Sequence, residues 1–166
     1  MSTSRLTRAD DGVILGAEVG LIDVPVGLMP REWQKRHRLK LLEINGKSQA
    51  LSGLVELRRR SERDFKKLMA TVKLQLESEK LLSNEKRVRK GRKADQREII
   101  EFKASGGHAR LFAFFAEKNE LIICTNTYWK TSSDKTLQNR AFAKAASMRE
   151  TYMKNVRTKK GNQNER

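Results

Sequence analysis

One nine-residue run limits the possible folds more than any other: His108-Ala-Arg-Leu-Phe-Ala-Phe-Phe-Ala116. Read at a period of two, both alternating sets are apolar: Leu111, Ala113 and Phe115 on one side, Phe112 and Phe114 on the other. A strand that is apolar on both faces belongs in the middle of a sheet. Two further strands flank it, at about Arg97–Lys103 and Glu120–Asn126, and the links Ala104–Ala109 and Glu117–Asn119 are short enough for hairpins. Short links predict an antiparallel meander.

The elements around the meander follow from local signals. Leu54 to Arg59 (LVELRR) alternates roughly and reads as an opening strand. Ser61-Glu62-Arg63-Asp64 has the form of a capping box, with Ser61 as N-cap and Asp64 at the third helical position. Phe65, Leu68, Met69, Val72 and Leu76 then give one apolar stripe on a helix of about twenty residues ending near Leu82-Ser83-Asn84. After the meander, Leu137, Ala141, Ala145, Met148 and Tyr152 recur at helical spacing, with small residues that permit close approach to the sheet. The predicted order is β-α-β-β-β-α: an α+β fold with an antiparallel sheet of about four strands and helices packed on one side.

Residues 51–155 form the expected domain. Residues 1–50 read as an N-terminal extension: a polar, frayed Met1–Asp11, one or two short strands between Gly12 and Pro30, and a basic helix over about 30–44 that Pro30 opens and Asn45-Gly46 ends. Residues 156–166 read as a basic, disordered tail. The most apolar N-terminal run, Val13 to Met29, is broken by Glu18, Asp23 and Pro25, so no membrane partner is expected.

Charge narrows the function. Thirty-six Lys+Arg against 20 Asp+Glu give a net charge of +16, which points to nucleic acid, an anionic surface or an acidic protein. A single cysteine excludes an intramolecular disulfide and fits the cytoplasm. Cys124, in an apolar strand, reads as a core residue. Two histidines with that cysteine make no zinc site of usual spacing, and no strand carries clustered carboxylates, so the expectation is no metal and no cofactor.

The basic groups gather at strand ends. Lys103 closes one strand, and His108 and Arg110 open the next, sharing a face at spacing two. Lys130 follows the third strand beside Tyr128 and Trp129, whose rings suit base stacking. Between Lys86 and Lys93, six of eight residues are basic: Lys86, Arg87, Arg89, Lys90, Arg92 and Lys93. Such a run is commonly a solvated, flexible connector, but it stands just before the site strand. Metal-free RNA cleavage needs a base for the ribose 2′-OH, cations for the phosphorane and an acid for the leaving oxygen. Lys103, His108, Arg110 and Lys130 are the candidates for those roles.

The ordered landmarks VELRRRSERDFKKLM, IIEFK, HARLFAFF, LIICTNTYWKT and AFAKAASMRETY resemble the RelE/ParE toxin superfamily, in particular its HigB-like branch, from Leu54 to Tyr152. The resemblance implies a RelE-like, microbial RNase-type fold. It also implies a toxin of a type II toxin–antitoxin system that cleaves mRNA on the ribosome, inhibits translation, and is neutralised by an acidic antitoxin, expected from an adjacent gene with a helix-turn-helix. On it, Arg110 matches the phosphate-binding arginine, Lys103 and Lys130 match flanking basic positions, and Tyr152 stands for a C-terminal aromatic used in some members. Glu101 occupies a position basic in relatives, and Phe142 one where some carry a functional tyrosine. The alternatives are a ParE-like, non-enzymatic DNA gyrase inhibitor and a plain nucleic-acid-binding module.

Overall fold

A computed structural model describes residues 7–8, 14–131 and 135–164. The remainder of Met1–Asp11, including Asp10-Asp11, lies outside the described residues. Two short strands, β1 (Thr7–Arg8) and β2 (Ile14–Leu15), pair with each other. They are followed by β3 (Val19–Asp23), β4 (Arg38–Ile44), α1 (Gln49–Arg60), α2 (Glu62–Glu77), β5 (Val88–Lys90), β6 (Ile100–Lys103), β7 (Ala109–Ala116), β8 (Leu121–Trp129) and α3 (Lys135–Asn164).

The fold is α+β, built on a six-stranded mixed sheet in the order β3-β4-β8-β7-β6-β5. The β6-β7-β8 meander is antiparallel as expected, and β7 lies inside the sheet. The expectation of about four antiparallel strands is corrected by the pairing of β4 with β8, which is parallel. The helices α1 and α2 lie in the crossover from β4 back to the sheet, as parallel pairing requires a long connection.

The helix expected over 30–44 is instead a single 3-10 turn, Arg31–Trp33, followed by β4. Leu39 and Leu41 face the α1–α2 side and Leu42 the α3 side, so β4, like β7, is buried on both faces. Pairing on both edges overrides the helical propensity of RLKLLEI, because the sheet satisfies its backbone while covering three leucines. Residues 19–44 therefore complete the central sheet.

Leu54–Arg59, expected as the opening strand, lies inside α1. Its buried positions Ala50, Leu54 and Leu57 stand four and three apart, a helical stripe that the six-residue window was too short to reveal. Ser48 caps this helix by accepting from the Leu51 amide at 3.1 Å. Gly53 lets it sit close on β8: a Cβ there would lie 1.9 Å from Thr127 Oγ1. Ser61 ends α1 and begins α2, accepting from the Asp64 amide at 3.2 Å as its capping box predicts. α2 stops at Glu77, earlier than expected.

Helices cover both faces of the sheet, not one. α1 and α2 share a core with Leu41, Phe102, Leu111 and Ile122, while α3 packs Ala141, Phe142, Ala145 and Met148 on Phe112, Phe114 and Ile123. Strands apolar on both faces need that double cover. Leu137, assigned to the packing stripe of α3, is 41% exposed. The tail expected to be disordered from 156 continues as helix to Asn164. Among the described residues no helix is long and apolar enough to cross a membrane. Burial pushes the Cys124 thiol far up, which makes it an inert core residue.

Candidate nucleic-acid interface

Sheet register brings the strand-end residues together. Lys103 on β6 is paired with Arg110 on β7, and Arg110 with Tyr128 on β8. Directly paired residues project from the same face, so the three side chains form one cross-strand row. The neighbouring row pairs Arg89 with Glu101 and Glu101 with Phe112. The presumed connector before β6 is thus partly a strand: Val88 is buried, and β5 zips onto β6 to form the sheet edge.

Beside this edge is a groove of about 1010 Å³. Lys86, Arg89, Lys90, Arg92, Lys103 and Arg110 line it, with Glu85 as the one acidic residue of the lining. Leu81, Leu82 and Val88 supply an aliphatic wall, and the Ala104–Gly107 turn forms its end. Arg87 is not in the lining: its Nη1 reaches Thr71 Oγ1 at 3.4 Å on α2. Lys93 stands beyond the groove, where it opens the 3-10 turn Ala94–Gln96.

Lys103 Nζ donates to the Glu85 carbonyl at 2.8 Å. Burial pushes its ammonium below the usual lysine range; Glu101 pulls it back, while Arg110, Arg89 and Lys130 add to the fall. Arg110 is 8% exposed. Its Nη1 donates to the carbonyls of Gly107 and Ala109, both at 2.9 Å, and its Nε is buried without a partner. Burial lowers the Arg110 pKa also, against the pull of Glu101, Asp64 and Tyr128.

Glu101, at a position basic in the resembled family, is fully buried, and Gln138 Nε2 on α3 donates to both its oxygens at 3.2 and 3.0 Å. It ties α3 to β6 beneath the cationic row. Phe142 packs edge-on against Phe112 at 4.9 Å, with the Arg89 guanidinium 5.8 Å from its ring.

His108 is exposed and stands outside the groove, on the other side of the turn. Its Nδ1 bonds to the Lys130 carbonyl at 2.6 Å; because a carbonyl only accepts, Nδ1 carries hydrogen and Nε2 is the free nitrogen. Its ring stacks on Trp129 at 5.1 Å, and the Arg60 guanidinium lies 4.4 Å from the Trp129 centroid. Trp129 is therefore already engaged by His108 and Arg60. Tyr128 is half-buried against the α3-side core.

Tyr152 is not part of this arrangement. It packs on Phe114 at 5.5 Å, toward the other end of β7, roughly 13 Å along the strand from Arg110. Burial and then Glu117 raise its pKa. Among the described residues no group of three or more His, Cys, Asp or Glu is placed to hold a metal ion.

A ridge of polar residues on α2 escaped the sequence reading. Asp64, Thr71 and Gln75 stand seven and four apart, all buried, within the apolar stripe. Asp64 accepts from the His108 and Ala109 amides, Thr71 donates to the Lys103 carbonyl at 2.8 Å, and Gln75 clamps Lys80 O and Leu82 N at 3.0 Å each. Each fixes a backbone segment bordering the groove. The signal was polar residues at core positions of a helix, which predicts a buried hydrogen-bonding task but not its partner. No family model, curated protein or solved structure matches this chain.

Proposed function

We propose that this protein binds RNA along the cationic groove and cleaves it without a metal, as a RelE/HigB-like toxin acting on ribosome-bound mRNA. The observation that carries this reading is the cross-strand pair Lys103–Arg110 at the wall of a groove lined by six cations. The β6-β7-β8 meander followed by α3 supports it as the closing part of the expected β-α-β-β-β-α order, although the full order from β4 is β4-α1-α2-β5-β6-β7-β8-α3, with one helix and one strand more than expected.

In this reading the 2′-oxygen attacks phosphorus as the bond to the 5′-oxygen breaks, leaving a 2′,3′-cyclic phosphate and a free 5′-hydroxyl. Lys103 takes the 2′-OH proton in its neutral form, a form that the lowering of its pKa makes more accessible. Arg110 and its cationic neighbours stabilise the phosphorane. His108 acts in its imidazolium form: held through Nδ1, it gives the Nε2 proton to the 5′-oxygen and is left neutral. An acidic antitoxin covers the same basic surface, with electrostatics mainly speeding association.

The test is to induce the protein in cells and map mRNA 5′ ends, with Lys103→Gln as control. The expected outcome is new 5′-hydroxyl ends in translated messages, reduced at least 100-fold in the variant, a factor typical of a lost acid–base group. One observation favours a second reading. The Arg110 guanidinium is already committed to two turn carbonyls, as in a binding module in which it is structural. Undiminished cleavage in Lys103→Gln defeats the catalytic assignment, RNA binding without any cleavage favours the module, and inhibition of gyrase supercoiling in the absence of RNA favours the gyrase alternative.

A further inference from the structure

A second group of planar and cationic side chains lies across the Ala104–Gly107 turn from the groove. His108 is its best-held member. Its amide donates to Asp64 Oδ2, its carbonyl accepts from the Lys130 amide at 2.9 Å, and its Nδ1 donates to the Lys130 carbonyl. Its ring lies on Trp129. An exposed histidine ordinarily keeps its rotamer freedom; this one has lost it, with Nε2 left over for a ligand.

Trp129 also carries Arg60, whose guanidinium stands 4.4 Å from the ring centroid. Three arginines end α1, and their surroundings differ. Arg58 donates to the Gly27 carbonyl at 3.0 Å and lies over Phe65, while Arg59 pairs with Glu56 at 2.7 Å. Among the described residues no carboxylate pairs with Arg60, which is exposed. Contact with the indole fixes the guanidinium and leaves its N–H fork for a ligand, and that fork suits two phosphate oxygens. Lys130 serves both sides of the turn. Its backbone holds His108, and its charge is near enough to Lys103 to add to the pKa fall that burial chiefly causes.

In the cleavage reading these positions give the bound strand a direction. The 2′-OH that Lys103 deprotonates belongs to the nucleotide 5′ of the cut. The 5′-oxygen that His108 protonates belongs to the nucleotide 3′ of it. Upstream nucleotides then lie in the groove, and the strand leaves over the turn toward Trp129. We propose that Arg60, oriented by Trp129, binds the first phosphate 3′ of the scissile one and forms a downstream subsite for single-stranded RNA. This rests on the cleavage reading, with Lys103 and His108 at opposite ends of the reaction.

The experiment measures single-turnover cutting of ribosome-bound mRNA by the full chain, with an uncharged methylphosphonate at one chosen position. In the parent, a methylphosphonate at the first phosphate 3′ of the cut should slow cleavage about tenfold, near the lower worth of a hydrogen bond to a charged group. Arg60→Gln should slow unmodified mRNA by about the same factor and lose nothing more with the downstream methylphosphonate, because both changes remove one contact. A methylphosphonate at the first phosphate 5′ of the cut should slow parent and variant alike, and Arg59→Gln should behave as the parent throughout. Equal sensitivity of parent and Arg60→Gln to the downstream methylphosphonate overturns the subsite while cleavage stands. Insensitivity of Arg60→Gln to the upstream one instead reverses the strand and overturns it too. Unmodified mRNA left intact by the parent overturns the cleavage reading and the subsite with it.

Discussion

The two ends of strand β7 are built on different physical terms. At its start, the Ala104–Ala109 turn uses a glycine for its left-handed residue, Gly106 at φ 72°, and is pinned from beneath by the buried Asp64 carboxylate. At its far end, Glu117, Lys118 and Asn119 all adopt positive φ, at 49°, 55° and 68°, with no glycine among them. Left-handed backbone costs a side-chain-bearing residue on the order of 1 kcal/mol, less for Asn. The exposed Arg38–Glu117 pair offsets about 0–1 kcal/mol of this. The buried His37 ring, whose Nδ1 meets the Asn119 carbonyl at 2.7 Å and which packs on Phe115, supplies a second tether. The contrast teaches where the fold is preorganised. The groove end is unstrained and bonded to a helix, whereas the opposite end carries strain and weaker surface contacts.

That contrast is breakable by substitution. The largest effect is expected for Gly107→Ala, whose Cβ would lie 2.7 Å from Asp64 Oδ2. The carboxylate cannot move aside without abandoning two amides. Denaturant titration should show a loss of about 2 kcal/mol, together with weakened RNA binding. An unchanged midpoint would mean that Asp64 does not pin the turn. Next in size, Lys118→Gly relieves the strained end. It should add about 0.5–1 kcal/mol, raising Tm by roughly 2 °C, with binding unaffected; a fall in Tm would show that the turn is not strained.

The smallest effect belongs to Lys103. A lysine whose folded pKa lies below its unfolded value destabilises the protein wherever the side chain is protonated in both states. That penalty disappears as pH rises through the lowered folded value toward the ordinary lysine range. Lys103→Met should therefore be slightly more stable than the parent at pH 7 while losing cleavage, and the stability gap should close by pH 10–11 (about the ordinary lysine pKa). Paired thermal melts across that range decide it, and a gap that widens with pH contradicts the lowered pKa.

Much of the candidate surface was legible because it depends on short-range order. The β6-β7-β8 meander follows from period-two patterning and short links, so Lys103 and Arg110 had to meet across one hairpin. The Ser61 cap and the α2 stripe follow in the same way from spacings of three and four. The place of Tyr152, beside Phe114 and away from Arg110, was not legible for a reason of the same kind. Its helical spacing was right, but spacing along α3 does not say which end of β7 the helix reaches. Trp129 was legible as an aromatic near the site, but its engagement by Arg60 depends on the α1–α2 corner.

By itself, then, the sequence determined the local elements with strong periodicity, the cationic row at the hairpin, and the surplus of positive charge. The tertiary structure decided what depends on partners distant in the chain. It turned RLKLLEI into a strand because β3 and β8 stand on either side of it, and made LVELRR part of a helix because Ala50, Leu54 and Leu57 share one core. It drew the basic run Lys86–Lys93 into the sheet edge beside Glu101. It also gave Asp64, Thr71 and Gln75 their tasks, since a buried polar side chain is specified by the backbone atom it meets, and that atom is set only when the sheet has assembled.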